Sequence, residues 1–311
     1  MDPIVDGVQE FSVSKNQVWV PGAEQFAHFT DRAKMRDGGP ERKFALPERK
    51  GFSLPAPGLP IDWAKTLPFP MFGNDQLGDC FYAAACHQDQ TWTGNNGGES
   101  TFDVRVIARD YLRLSGGDNG LSEGAIVGEW KRGLCETPKV NILDALDIDV
   151  TDQAAVQVAI NYFGGVLFTL AVPDAWIQGF RPGGQTVWNA PARPNPRNGH
   201  AVLWNGVDEQ GRYRLQTWGS YCWITPQGAR SCDPGGFVAF SLRWFNSSGI
   251  APNGMTYDQL AALWVSLGGH ELPPSPFNPP PPPPPPGDLR ARIASILDSA
   301  KLQIDQLLVG R

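Results

Sequence analysis

Residues 78–90 read GDCFYAAACHQDQ, a turn-forming pair followed by a run of helix formers. The run contains neither Gly nor Pro before Gly94, so we predict a helix that begins at Cys80. A thiol at the first position of a helix lies close to free backbone N–H groups and to the positive end of the helix dipole. Both favour the thiolate. We therefore expect a lowered pKa for Cys80 and regard it as the candidate nucleophile.

Four histidines limit the choice of a general base. His28 and His270 lie in irregular or Pro-rich sequence and are poor candidates. His87 follows Cys80 by seven residues, about two helical turns or roughly 10 Å, so we interpret it as structural. His200 stands where a loop meets the strand-like sequence AVLW, which suits a working imidazole.

An amide side chain follows His200 in the next predicted strand. It belongs to Gln216, in the sequence LQTWG. An amide oxygen can accept the imidazole N–H and orient the ring. Cys80, His200 and Gln216 are therefore the predicted catalytic residues, and Trp218 is expected to shield the contact between Gln216 and His200 from water.

Four stretches, in this order, resemble the papain-like cysteine proteases. They are LPIDW at residues 59–63, GDCF at 78–81, NGHAV at 198–202 and QTWG at 216–219. They are similar to the start of the mature domain, the nucleophile turn with its Gly78, the histidine strand and the Asn-Ser-Trp-Gly strand of that family. The resemblance covers about residues 59–245 and suggests a divergent member of bacterial or phage type.

This resemblance implies an α+β fold, in which a helical subdomain carrying the nucleophile helix packs on an antiparallel β-barrel-like subdomain. It also implies a covalent acyl-enzyme, with His200 taking the proton of Cys80 and later protonating the leaving amine. The oxyanion is expected to bind the Cys80 N–H and one side-chain amide. The family's Gln six residues before the nucleophile is Asn74 here, and Gln76 is the alternative donor. No metal or other cofactor is expected.

The remaining sequence divides where its composition changes. Residues 1–58 mix charges with Gly and Pro and are predicted to form an irregular extension, a candidate prosegment that covers the cleft. Residues 59–270 are the predicted peptidase domain, and residues 271–287 a linker with eight consecutive prolines. Residues 288–311 form a predicted amphipathic helix. Because a short helix cannot bury its apolar stripe alone, we expect self-association or partner docking through it.

Composition narrows the classes of partner. With 26 basic and 32 acidic residues the net charge is −6, so no basic field attracts nucleic acid. The longest apolar run, residues 162–172, is about half of a membrane span, and no basic segment followed by an apolar one opens the sequence. We expect neither a membrane anchor nor a secretory signal, and a cytoplasmic location by default. Of the five cysteines, Cys222 and Cys232 are best placed to form a bridge.

Two other functions stay open. Replacement of both family amides, at Asn74 and Gln216, favours a catalytically silent papain-like module used for binding or assembly. Asp79 and Cys80 also resemble the start of NlpC/P60 cell-wall amidases, but the 120 residues from Cys80 to His200 exceed that compact domain. The leading hypothesis is a cysteine endopeptidase acting on a peptide or protein substrate.

Overall fold

A computed structural model describes residues 17–20, 25–47, 57–64, 67–135 and 138–277. Its strands are β1 (Gln17–Val20), β2 (Gln25–His28), β3 (Lys43–Phe44), β4 (Ile61–Asp62), β5 (Asp144–Ile148), β6 (Val166–Ala171), β7 (Val187–Trp188), β8 (Gly199–Val207), β9 (Tyr213–Thr217), β10 (Ser220–Ile224) and β11 (Gly235–Phe240). Its helices are α1 (Arg32–Met35), α2 (Cys80–Asn96), α3 (Val104–Ser115), α4 (Glu123–Arg132), α5 (Gln153–Phe163), α6 (Asp174–Gln178), α7 (Pro226–Arg230) and α8 (Tyr257–Ser266).

The helix α2 begins at Cys80, as predicted, and ends where Gly97 adopts a left-handed φ of 99°. Its side chains are buried from the first turn to Thr93, because the helix packs against β8 and against the short 3-10 turn after β11. The buried carboxylate of Asp89 is paired with Arg243, at 2.9 Å between Oδ2 and Nη2. The helix is therefore held from several sides, which fixes the position of its first residue.

One sheet of nine strands forms the other half of the core, in the order β3-β5-β11-β6-β8-β9-β10-β7, with β4 beside β8. Only the β3–β5 and β7–β10 pairs are parallel. The α+β class is confirmed. The strand order is linear, and within the described residues its end strands β3 and β7 do not pair, so the predicted barrel-like closure is not seen.

Local sequence signals explain most of the element boundaries. The patterns at residues 153–162 and 256–266 indicate helices, and both are present, the second opened by the Thr256–Gln259 capping box. The aromatic run at residues 237–245 favours one strand, but β11 ends at Phe240 because Ser241 caps the 3-10 turn that follows. None of the described helices combines the length and apolar character needed to cross a membrane.

The N-terminal extension is not irregular throughout, contrary to the prediction. β1 pairs with β2, and β3 joins the large sheet beside β5. One compact unit takes in these elements together with the predicted peptidase domain and continues to Pro274, so residue 58 does not separate two units. The proline run and the predicted helix at 288–311 lie outside the described residues.

Candidate active site

Cys80, His200 and Asn74 line one small cavity beside the first turn of α2 and the start of β8. Gln216 and Trp218 line it as well. Its volume is about 10 Å³, enough for about one water molecule. The fold thus gathers the catalytic residues predicted from the sequence around one narrow space.

The two candidate oxyanion donors are placed differently. Asn74 is buried in the cavity wall, and its amide donates to the carbonyl of Leu77 at 3.1 Å. Gln76 is exposed and lies away from the cavity, with its amide 3.5 Å from the carboxylate of Asp75. Asn74 is therefore the amide that can act together with the Cys80 N–H.

The imidazole of His200 is fixed by two neighbours. Its Nε2 lies 2.8 Å from the hydroxyl oxygen of Thr217, and its ring stacks on Trp218 with centroids 5.2 Å apart. Among the described residues, its Nδ1 has no hydrogen-bond partner, the Cys80 thiol included. Because Thr217 holds Nε2, Nδ1 is the nitrogen left to accept the thiol proton.

Gln216 does not bond to His200, so the predicted third catalytic contact is wrong. Its amide lies 3.3 Å from the side-chain oxygen of Asn205 instead. The register gives the reason: Gln216 is opposite Leu203 and shares its face of the sheet. Because side chains alternate, His200 and Thr217 belong to the other face. The second residue of the QTWG motif orients the ring.

We expect Thr217→Val to lower kcat by roughly 10- to 100-fold, because the imidazole loses its hydrogen bond while the side-chain shape is kept. Thr217→Ser should restore most of the rate. Peptide hydrolysis by the protein from which the N-terminal extension has been cut away measures this rate, with Gln216→Leu for comparison. Complete loss of activity in Gln216→Leu, together with a normal rate in Thr217→Val, would contradict the assignment of Thr217 as the residue that orients His200.

Burial reverses the pKa shift expected for Cys80. Removal from water raises the pKa of this thiol to about 12, which outweighs the opposing effects of the Ala201 N–H and the helix start. Burial also raises the pKa of the adjacent Asp79 well above its ordinary value and lowers the pKa of His200 to about 3. The prediction of a lowered thiol pKa is therefore wrong for this state, in which a neutral thiol faces a neutral imidazole.

Residues 29–36, here named the cover segment, lie over the site. The N–H of Thr30 donates to the carbonyl of Gly199 at 2.9 Å, forming an antiparallel bridge directly before His200. The ring of Phe29 meets the imidazole of His200 edge-on, with centroids 5.8 Å apart. The segment therefore pairs with the start of β8 in the way an extended peptide would.

The cover segment is held on both sides of the site. On the helical side, the ammonium group of Lys34 donates to the carbonyl of Asn119, between α3 and α4, at 2.6 Å. On the sheet side, the buried guanidinium of Arg32 donates to the carbonyls of Asp233 at 2.8 Å and Thr169 at 3.4 Å. The segment thus packs against the His200 side of the site, and both the Cys80 thiol and the His200 imidazole are buried.

His87, interpreted from sequence as structural, lines the same cavity. Its Nε2 lies 2.8 Å from the carbonyl oxygen of Pro70, and its ring packs against Phe69 and Phe72. The sequence could have placed His87 beside the cavity, because a spacing of seven residues, or two helical turns, puts it on the same helix face as Cys80. Burial lowers the pKa of His87 to about 4.

Protonation of His87 is expected to weaken the fold in mild acid. Its pKa of about 4 lies below the unfolded value of about 6.5, so between these values the unfolded chain binds more protons. The stability from this group is full above pH about 6.5 and is lost as the pH falls towards 4. His87→Gln, which keeps a donor for Pro70, should reduce the pH slope of the unfolding free energy by roughly 1 kcal/mol per unit near pH 5. Urea unfolding between about pH 4.5 and 7 tests this, and equal slopes in the two proteins would refute it.

Cysteine and acidic side chains do not form a metal centre within the described part of the chain. No group of three His, Cys, Asp or Glu side chains there is placed to hold a metal ion. All five cysteines are free and buried, so Cys222 and Cys232 are not bridged.

Known proteins are similar to this chain in structure. No protein-family model and no curated protein matches its sequence. Similar solved structures include xylellain, a cysteine protease from Xylella fastidiosa, with 14% identity, a TM-score of 0.47 and coverage of 65% of this chain and 98% of that one. They also include procathepsin L2 from the larval midgut of Tenebrio molitor, with 16% identity, a TM-score of 0.48 and coverage of 68% and 77%. Both similarities are of structure, at low sequence identity.

Proposed function

We propose that this protein is a cysteine peptidase that hydrolyses peptide bonds through Cys80 and His200. One observation carries the proposal: the thiol at the start of a buried helix, an oriented imidazole with one unbonded nitrogen and the amide of Asn74 line a single cavity. Nucleophile, base and oxyanion donor are the parts that acyl transfer requires.

The chemistry follows from these positions. His200 Nδ1 takes the proton of Cys80, and the thiolate attacks the carbonyl carbon of the peptide bond. The oxyanion receives hydrogen bonds from the Cys80 N–H and the Asn74 amide. His200 then gives its proton to the leaving amine, which breaks the C–N bond and leaves a thioester. Water, deprotonated by the same ring, hydrolyses the thioester and releases the acid.

We further propose that the cover segment keeps this chain latent. Two facts support latency: Thr30 takes up the backbone pairing site next to His200, and the dry site favours neutral thiol and imidazole. Removing the segment admits water, which stabilises both charged forms. The thiol proton can then pass to the imidazole.

The test uses an unfolded protein as substrate. A site for a sequence-specific protease is placed within residues 48–56, so that the N-terminal part can be cut away from the purified chain. We expect new peptide ends, identified by mass spectrometry, from the released protein and none from the same protein alkylated at Cys80. A released protein that is folded but cleaves no peptide at any pH between about 5 and 9 would refute the proposal.

A catalytically silent binding module is the second candidate. It is favoured by the raised pKa of Cys80, since a thiol with a pKa of about 12 is almost entirely protonated near neutral pH. The two candidates differ in one measurable property. A silent module keeps an unreactive Cys80 after the cover segment is removed, whereas a peptidase gains a reactive one.

A further inference from the structure

A second, larger groove lies next to the catalytic cavity. Its volume is about 480 Å³, within the range of ligand pockets, and three phenylalanines wall it: Phe69, Phe72 and Phe102. Phe72 and Phe102 meet edge-on with centroids 5.7 Å apart. None of the residues of the cover segment lines this groove.

The groove adjoins the catalytic cavity. Met71 lines the cavity, while its neighbour Phe72 lines the groove. In the facing wall Trp218 lines the cavity and Gly219 the groove, and a Cβ on Gly219 would lie 3.5 Å from the nitrogen of Met71. His87 joins the two spaces, because its ring lines the cavity and packs on Phe72. The two spaces are therefore neighbours, divided where Gly219 approaches Met71 and where the ring of His87 packs on Phe72.

The direction of the peptide follows from the roles of its neighbours. His200 delivers the proton to the leaving amine, and Trp218 stacks on His200. The groove begins at Gly219, directly after Trp218, and so lies on the leaving side. Thr30 pairs with the start of β8 at Gly199, and we assign the acyl side of a substrate to this strand.

The polar groups of the groove select a class of side chain. Gln90 is 3% exposed, and within the described chain its Oε1 has no hydrogen-bond partner. Glu99 is exposed at the rim. Both groups accept hydrogen bonds, so they favour an N–H donor and a positive charge and disfavour a carboxylate. The phenylalanine walls favour an aromatic ring.

We propose that this groove binds the leaving-side segment of the substrate through an aromatic residue followed by a basic one. The inference rests on the proposed peptidase function for its biological meaning. Binding itself does not need turnover, and the cover segment does not line the groove, so binding can be measured with the full-length chain.

Calorimetry with the full-length Cys80→Ala variant tests binding without cleavage. The probes are short peptides blocked at both ends that contain Phe-Lys, Ala-Lys or Phe-Glu. We expect Phe-Lys to bind at least about tenfold more tightly than either of the others, because only this peptide fills the apolar walls and satisfies the acceptors. Equal dissociation constants, or no saturable binding of Phe-Lys, would overturn the inference.

Two variants locate the binding. Phe102→Ala should remove the preference for Phe over Ala. Glu99→Lys should reverse the preference between Phe-Lys and Phe-Glu, a result that misfolding cannot produce. Glu209→Gln, at an exposed turn between β8 and β9, is the matched control and should change nothing. An unchanged preference in Glu99→Lys would place the peptide elsewhere and overturn the inference.

The released enzyme separates failure of the groove from failure of the peptidase. If the peptides bind as expected but no substrate is ever cleaved, the groove assignment is supported and the proposed peptidase function is rejected. If substrates are cleaved and kcat/KM does not depend on the leaving-side residue or on Phe102, the peptidase function is supported and the groove assignment is rejected.

Discussion

Replacing Cys80 by alanine is expected to remove peptide cleavage, with a loss of at least about 10⁴-fold in kcat, because no other group on the cavity wall can form the thioester. The free energy of unfolding should change by only about 1 kcal/mol, since the substitution deletes one buried sulfur atom. Hydrolysis of an unfolded protein by the released enzyme gives the rate, and urea unfolding gives the stability.

Cys86 provides the matched control for this substitution. It is also a free, buried thiol and lies on the same helix, about one and two-thirds turns beyond Cys80. Cys86→Ala should therefore keep most of the activity at a similar cost in stability. Cleavage that persists in Cys80→Ala, or that disappears equally in both variants, would exclude Cys80 as the nucleophile.

Removal of the cover segment is expected to raise the reactivity of Cys80 towards iodoacetamide by at least about 100-fold at pH 7. In the intact chain the pKa of about 12 leaves almost no thiolate at neutral pH, so the alkylation rate should rise steadily with pH across the alkaline range. After removal, pairing with His200 should hold a thiolate down to about pH 6 or below. Mass spectrometry of the labelled peptide distinguishes Cys80 from the other thiols.

The control is the same engineered protein before cutting, and the N-terminal part is separated by gel filtration after it. In the released protein, His200→Ala should return the titration of Cys80 towards the ordinary thiol value of about 8.5. Equal alkylation rates in the intact and released proteins would show that the cover segment does not govern the site, and latency would then be rejected.

The positions of Cys80 and His200 could be predicted because each depends on a short local signal. A turn followed by helix formers places Cys80 at a helix start, and a loop followed by β-branched residues places His200 at a strand start. The orienting contact depends on the register between β8 and β9 instead. A difference of one position in QTWG exchanges Gln216 for Thr217, and no local pattern reveals which face each side chain takes.

The remaining differences come from long-range packing. The thiol pKa of Cys80 was expected to fall because the sequence shows the helix start but not the burial that dominates in the structure. The extension was expected to be irregular, and its sequence does not reveal the pairing, because Thr30 pairs with Gly199, 169 positions later, and not with a residue nearby. Helix α3 could have been predicted, because its sequence VRVIARDYLRLS is amphipathic and Asp103 caps its start.

The covalent tether between the cover segment and the rest of the chain sets how activation would depend on protein concentration. The cover segment belongs to the same polypeptide as the strand with which it pairs, so its local concentration is set by the tether, at about a millimolar, and not by the amount of protein. Latency should then resist dilution as long as the chain is whole. Once the chain is cut within residues 48–56, the freed N-terminal part, which carries the cover segment, competes with substrate only at its true concentration. A single cut would therefore act as a nearly irreversible switch in dilute solution, and as a reversible one where the protein is concentrated.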